Sequence, residues 1–217
     1  MANLYFKDYT PVVHFKRAKP THQECLNYLA LFLKNFAFIE ESDLQNLGKY
    51  FEYFSAKKND IISSQGKYCE HIVFICKGAV KHVIENNNQQ NVIELFTEAN
   101  FCASIKSFIS GKPAIAGFIC SQNTYGLKLS LENFERLIQL RPAFEQLMNQ
   151  MQDETATNYM YRLTFFQSLD SNGRYHVLLK EHPDAFEKFT MQDISNYLDI
   201  KAETLSRLRK KKEAEPE

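Results

Sequence analysis

From Ala56 to Ser130 the chain consists of short β-rich runs: "DIISSQG", "HIVFICKG", "AVKHVIENNNQQNVIELF" and "AIAGFICSQNTYGLKLS". Gly, Asn and Ser clusters separate them, the pattern of an antiparallel all-β module. No other feature restricts the fold as much. Runs this short suit a roll or barrel, and "ENNNQQN" between two apolar runs reads as a hairpin tip.

Helical spacing flanks this module. Before it, apolar residues recur as Leu26, Leu29 and Leu33, then Leu44, Leu47 and Phe51, with "EESD" at 40–43 as a cap between two predicted helices. After it, "LSLENFERLIQLRPAFEQLMNQMQDETATNYMYRLTFF" is helical, with Pro142 breaking or restarting the helix. Beyond Pro142, Phe144, Leu147, Met148, Met151, Tyr159, Leu163 and Phe166 form an apolar stripe on one long helix. A stripe of this length serves as a homodimer seam, packs on the chain's own β module, or does each along a different length. Phe144, Met148, Met151 and Tyr159 are the residues expected at the seam. The fold class is α+β.

The 217 residues carry 26 Lys plus Arg against 26 Asp plus Glu, so only local charge can steer a partner. Cys25, Cys69, Cys76, Cys102 and Cys120 form no C-x-x-C pair and no zinc-like spacing with histidine; an odd, scattered set suits reduced thiols in a cytoplasm. No apolar run reaches the length of a membrane span. The leader "MANLYFKDYTPVVHFKRAKP" lacks the continuous apolar region of a signal peptide and is expected to be an arm, with the protein cytoplasmic. There is no Walker loop, G-x-S-x-G elbow, H-E-x-x-H or Rossmann fingerprint, and seven glycines leave few places for a phosphate-cradling loop. No catalytic or metal-binding residue is assigned, and no enzyme activity is expected.

The C-terminal stretch "FTMQDISNYLDIKAETLSRLRKKK" holds the clearest motif. Thr190 and Asp193 resemble a capping box. Ile194 and Leu198 share a face of the helix it starts, and small Ser195 lets a crossing helix approach. Asp199 is a residue that tolerates the left-handed turn needed next. A second helix from about Ala202 turns Leu205 and Leu208 inward, and Ile200 plugs the corner. This is helix-turn-helix spacing. Its outer face carries Glu203, Thr204, Ser206, Arg207, Lys210 and Lys211. Cations there can neutralise phosphates, Arg207 can grip a guanine edge, and Glu203 can accept from cytosine. Thr190, Gln192, Lys201 and Ala202 complete the expected DNA-facing set.

"MQDISNYLDIKAETLSRLRKK" resembles the helix-turn-helix of Crp/Fnr-type transcription regulators, and "NFCASIKSFISGKPA" resembles the cassette of their cyclic-nucleotide-binding domain. The resemblance runs from about His22 to Lys212. It implies an N-terminal arm (1–21), a jelly-roll-like β-roll sensor with flanking helices (22–130), a dimerisation helix (131–168) and a winged-helix-like DNA-binding domain (169–217). It further implies a homodimer on a palindromic operator with half-sites about one helical turn apart, and RNA polymerase as a further partner. Matching positions give Glu203 and Arg207 base-contacting roles. Ala202 stands where the family often has arginine, and Lys201 where the recognition helix is often capped. Little chain remains after Lys212, so any wing is expected before Thr190, around "HPDAFEKF".

At the sensor, residues that would meet ribose and cyclic phosphate are Ala103–Ser104 and Ala114–Ile115. Alanine and isoleucine offer no side-chain donor, and Lys106 and Lys112 nearby lack the guanidinium fork. Cyclic AMP or GMP is therefore not expected, no cofactor is assigned, and any effector is an unknown small molecule. Iron–sulfur sensing needs clustered cysteines, and nothing singles out His71, His82 or Cys69 as a haem ligand. The alternative reading is a ligand-sensing or protein-interaction module whose C-terminal helices dock a protein rather than DNA.

Overall fold

The structure, a computed structural model, describes Pro11, Phe15 and residues 18–87 and 89–214; most of the expected N-terminal arm lies outside the described residues. Helix α1 (His22–Leu33) starts at a full capping box, in which Glu24 N–H donates to Thr21 Oγ1 and Thr21 N–H donates to Glu24 Oε2. Its buried face is Cys25, Tyr28, Leu29, Phe32 and Leu33. The second helix predicted around Leu44–Phe51 does not form; a single 3-10 turn, Leu47–Lys49, stands there instead. Asn46 just before it has φ 62°, a left-handed conformation that no α-helix propagates.

Among the described residues eight strands follow, beginning slightly before the expected module: β1 (Glu52–Ala56), β2 (Ile61–Ser63), β3 (His71–Lys77), β4 (Val80–Asn86), β5 (Gln89–Phe96), β6 (Phe101–Cys102), β7 (Gly117–Cys120) and β8 (Thr124–Ser130). They pair antiparallel in two sheets, ordered β1-β8-β3-β6 and β2-β7-β4-β5. The hairpin tip is where the Asn-rich stretch placed it, with Asn86 opposite Gln89 and Asn87 at φ 48°. Gly126 of β8 lets strands crowd together, since a Cβ there would sit 2.0 Å from Phe74 O.

Val73, Ile75, Val80, Cys102, Phe118 and Cys120 fill the space between the sheets. The outer face of the first sheet packs against α1, α3 (Leu131–Leu140) and the front of α4 (Ala143–Ser168). Pro142 sits at the break between α3 and α4, as its chemistry demands. All five cysteines are buried and free, so each behaves as a small core hydrophobe.

Helix α4 has 26 residues, about 39 Å at 1.5 Å per residue. Four short helices follow among the described residues: α5 (Ser171–Glu181), α6 (Ala185–Lys188), α7 (Met191–Leu198) and α8 (Ala202–Ala214). Among the described residues no strand follows Ser130, and "HPDAFEKF" forms α6 rather than a wing. Ala185 and Phe189 are drawn into a core with Tyr175 and Ile194, which favours a helical turn over an exposed hairpin. This core is continuous with the roll, because Ala79, Val83, Val92 and Leu95 belong to it. Among the described residues no helix is long and apolar enough to cross a membrane.

Candidate nucleic-acid interface

Helix α7 begins at Thr190, whose Oγ1 accepts from Asp193 N–H at 3.1 Å and donates to Asp193 Oδ2 at 2.7 Å. Thr190 N–H donates to the same carboxylate at 3.3 Å, so aspartate closes the box where glutamate is usual. The helix ends at Asp199, at φ 51° and ψ 52°. There Ile200 N–H donates to Ser195 O at 3.0 Å and Asp199 N–H to Asn196 O at 3.1 Å. These are the two bonds of a Schellman stop, with aspartate in the position glycine normally takes.

The turn throws α8 across α7 with Leu205 fully buried and Leu208 partly buried. Glu203, Arg207 and Lys210, at helical spacing, lie on the opposite face and are exposed, as are Lys201, Ala202 and Lys211. Thr204 and Ser206 are half-buried at its edges, and Thr190 and Gln192 are exposed at the start of α7. Glu203, Arg207, Lys210 and Lys211 thus form the solvent-facing side of α8 opposite Leu205, three of the four being cationic, while Thr204 and Ser206 flank it on opposite edges. Arg209 belongs elsewhere, with its guanidinium 4.9 Å from the centre of the Phe186 ring.

Several residues that hold this unit in place escaped the sequence pattern. Arg162 of α4 donates to Tyr197 O at 2.7 Å and stacks 3.9 Å over the Tyr197 ring. Arg174 of α5 reaches the carbonyls of Leu169 and Leu198, each at 3.1 Å, and of Phe166 at 2.9 Å. Lys81 of β4 pairs with Asp193 at 2.6 Å, and Asn196 donates to Gln90 O at 3.0 Å. Lys188 of α6 pairs with Glu98 and Asp184; burial pulls its pKa down, but the two carboxylates outweigh burial and raise it overall.

The long helix divides along its length. Phe144, Met148 and Met151, expected at a dimer seam, are already buried against the chain's own roll. Tyr159 is exposed at 44%, with Met160 at 65% and Leu163 at 53% beside it, so the unpartnered apolar face is the back half of α4.

The residues assigned to the sensor lie on and beside helix α2 (Ile105–Ser110). Ser104 occupies its N-cap but makes no side-chain cap bond. Lys106 and Lys112 are exposed, and Ile115 is 82% exposed. Ala114 is buried, its N–H and carbonyl bonded to Lys67 O at 2.8 Å and Gly66 N–H at 2.7 Å. Inside the roll, the His82 ring lies flat on Phe118, 4.2 Å between centres and 5° between planes, with Phe96 5.9 Å from Phe118. Burial drives the His82 pKa down to about 4, so this interior holds a neutral aromatic stack at neutral pH. A crevice of about 50 Å³ between β5 and α4, lined by Glu94, Asn100, Glu154, Asn158 and Tyr159 among others, is far smaller than a typical ligand pocket.

Residues 53–141 match the cyclic nucleotide-binding domain family. No curated protein matches the chain. Among solved structures, a c-di-GMP-responsive global regulator, CLP, from Xanthomonas campestris aligns over 81% of this chain and 92% of its own, with a TM-score of 0.62 and 14% identity. FixK2 from Bradyrhizobium japonicum aligns over 74% and 83%, with a TM-score of 0.61 and 15% identity. A protein from Eubacterium rectale assigned to the Crp/Fnr family of transcriptional regulators aligns over 81% and 85%, with a TM-score of 0.61 and 14% identity. At such identities the likeness is one of fold. Residues 53–141 thus match the cyclic nucleotide-binding domain family, and over most of its length the chain shares its fold with these solved structures.

Proposed function

We propose that this chain is a homodimeric, sequence-specific DNA-binding transcription regulator. The observation that carries the reading is the α7–α8 unit: its apolar side, with Leu205, is buried, while Glu203, Arg207 and Lys210 stand in one exposed row. A helix presented in this way enters a major groove, where Arg207 takes a guanine edge, Glu203 a cytosine amine, and Lys201, Lys210 and Lys211 the phosphates. The back half of α4 supplies the dimer contact through Tyr159, Met160 and Leu163. RNA polymerase is the partner such a regulator meets at a promoter.

The sensor takes no cyclic nucleotide in this reading. A cyclic phosphate in a partly buried pocket needs a fixed cation or several aligned donors to offset its desolvation. Here Ala114 and Ile115 provide none, Lys106 and Lys112 are exposed, and neutral rings occupy the roll interior. Any effector is a different small molecule.

Selection of bound duplexes from a random library, followed by sequencing, tests the reading. Enrichment of one palindrome supports it. Uniform binding to every sequence, or no binding, rejects it in favour of C-terminal helices that dock a protein.

A further inference from the structure

We propose that Arg162 and Arg174 are positioning residues that lock the helix-turn-helix to the long helix and thereby set the operator half-site spacing the dimer accepts. The inference rests on the DNA-binding reading above.

In a two-fold dimer the distance between recognition helices depends on how rigidly each is held to the helix at the dyad. The covalent link is slight: α4 ends at Ser168, Leu169 is extended at φ −110° and ψ 139°, and Asp170 already caps α5. Such a connector, left alone, would let the reading unit swing. Arg174 closes it. Its Nε donates to Leu169 O and its Nη2 to Phe166 O, so the last turn of α4 and the connector are held together. Its Nη1 donates to Leu198 O, with Asp199 O at 3.5 Å, which places the same guanidinium on the corner of the helix-turn-helix. Arg162 grips that corner from α4, through Tyr197 O and the Tyr197 ring.

The two cations also share a ring. Phe166 lies 4.9 Å from the Arg162 guanidinium and 4.8 Å from that of Arg174. Carbonyls at the C-terminal ends of α4 and α7 thus accept from positive charge, which suits the negative end of each helix. At Arg174 the planar fork of donors spans three carbonyls at fixed angles, and at Arg162 the guanidinium plane stacks on the Tyr197 ring while bonding its carbonyl; an ammonium, a single point, reproduces neither. Neither arginine is on the DNA-facing side, so neither carries base information.

The test uses the full-length protein and its Arg162→Lys and Arg174→Lys variants in selection from libraries that vary both half-site sequence and spacer length. Circular dichroism and thermal melting confirm folding. Wild type should favour one spacer over its neighbours, and each variant should keep the half-site sequence while that preference falls about tenfold, the effect of removing one charge-assisted hydrogen bond. Phe166→Leu removes the shared ring and leaves the hydrogen bonds in place, and it carries the comparison if a lysine variant does not fold. An unchanged spacer profile with the half-site intact overturns the clamp. A wild type that selects no palindrome instead removes the regulator reading on which the clamp stands.

Discussion

Lys81 and Asp193, 112 positions apart in sequence, meet at 2.6 Å and tie strand β4 to helix α7. Their side chains are 15% and 9% exposed, so the pair is largely withdrawn from water. Asp193 also closes the capping box with Thr190. One carboxylate thus starts the first helix of the helix-turn-helix and fastens that helix to the β-roll.

That double role makes the pair costly to break from one side. Lys81→Met strands the Asp193 carboxylate against the roll and should lower unfolding stability by about 2 kcal/mol, somewhat below the range for fully buried pairs because the cap bonds remain. Adding Asp193→Asn, which keeps the shape of the cap and removes the charge, should recover part of the loss. Urea titrations of both single variants and the double give the coupling. Strict additivity would show that the two charges do not interact.

His82 gives the roll an acid sensitivity of defined sign. Its pKa falls from an ordinary 6.5 to about 4 because the ring is buried. Between these values the unfolded chain binds a proton that the folded chain refuses, so stability declines as pH drops from about 6.5 towards 4, by about 3 kcal/mol in all. His82→Phe keeps a ring on Phe118 and should flatten this part of the profile. Melting temperatures across pH 4 to 7 provide the comparison, and an equal slope in the variant would assign it to other groups.

Asp199 holds a left-handed conformation at φ 51° with its side chain 87% exposed. A Cβ in that region costs about 1–2 kcal/mol, and the carboxylate lies 4.0 Å from Arg174, too long for a strong pair. Asp199→Gly should therefore stabilise the protein by about 1 kcal/mol, read as a higher denaturant midpoint at unchanged slope. Destabilisation would mean that the contact with Arg174 outweighs the backbone strain.

Leu163 is 53% exposed on the back half of α4. Leu163→Glu places a charge on the proposed seam without entering the protomer's core. Sedimentation should show twice the chain mass for wild type and a single-chain mass for the variant, with helical content preserved. A variant that stays dimeric locates the contact elsewhere.

What could be foreseen divides by the range of the interactions involved. Thr190, Asp193, Asp199 and Leu205 declare the helix-turn-helix because caps, stops and buried faces are set within a few residues. The hairpin of β4 and β5 is legible for the same reason. The second helix after α1 fails because Leu44, Leu47 and Phe51 keep helical spacing while Asn46 breaks the backbone between them. The wing fails because Ala185 and Phe189 enter a core assembled from distant segments. Lys81, Arg162 and Arg174 carry no local mark; each looks like a solvated surface charge until residues 24 to 112 positions away are brought beside it.

Arg207 and Lys210 lie one turn apart on the exposed face of α8, close enough to share a groove and chemically suited to different targets within it. A guanidinium makes two directed bonds to a guanine edge, while an ammonium neutralises a phosphate without regard to sequence. Arg207→Ala should cost about 1–3 kcal/mol on the selected operator and relax preference at one base pair per half-site. Lys210→Ala should weaken binding to all duplexes alike and lower the slope of log affinity against log salt by about 1 for each phosphate no longer neutralised. Both readouts come from one set of titrations at several salt concentrations, with the selected operator and a scrambled duplex. If the two variants weaken specific and nonspecific binding in the same proportion, base reading and phosphate anchoring are not divided between them, and the groove face of α8 is a uniform cationic surface.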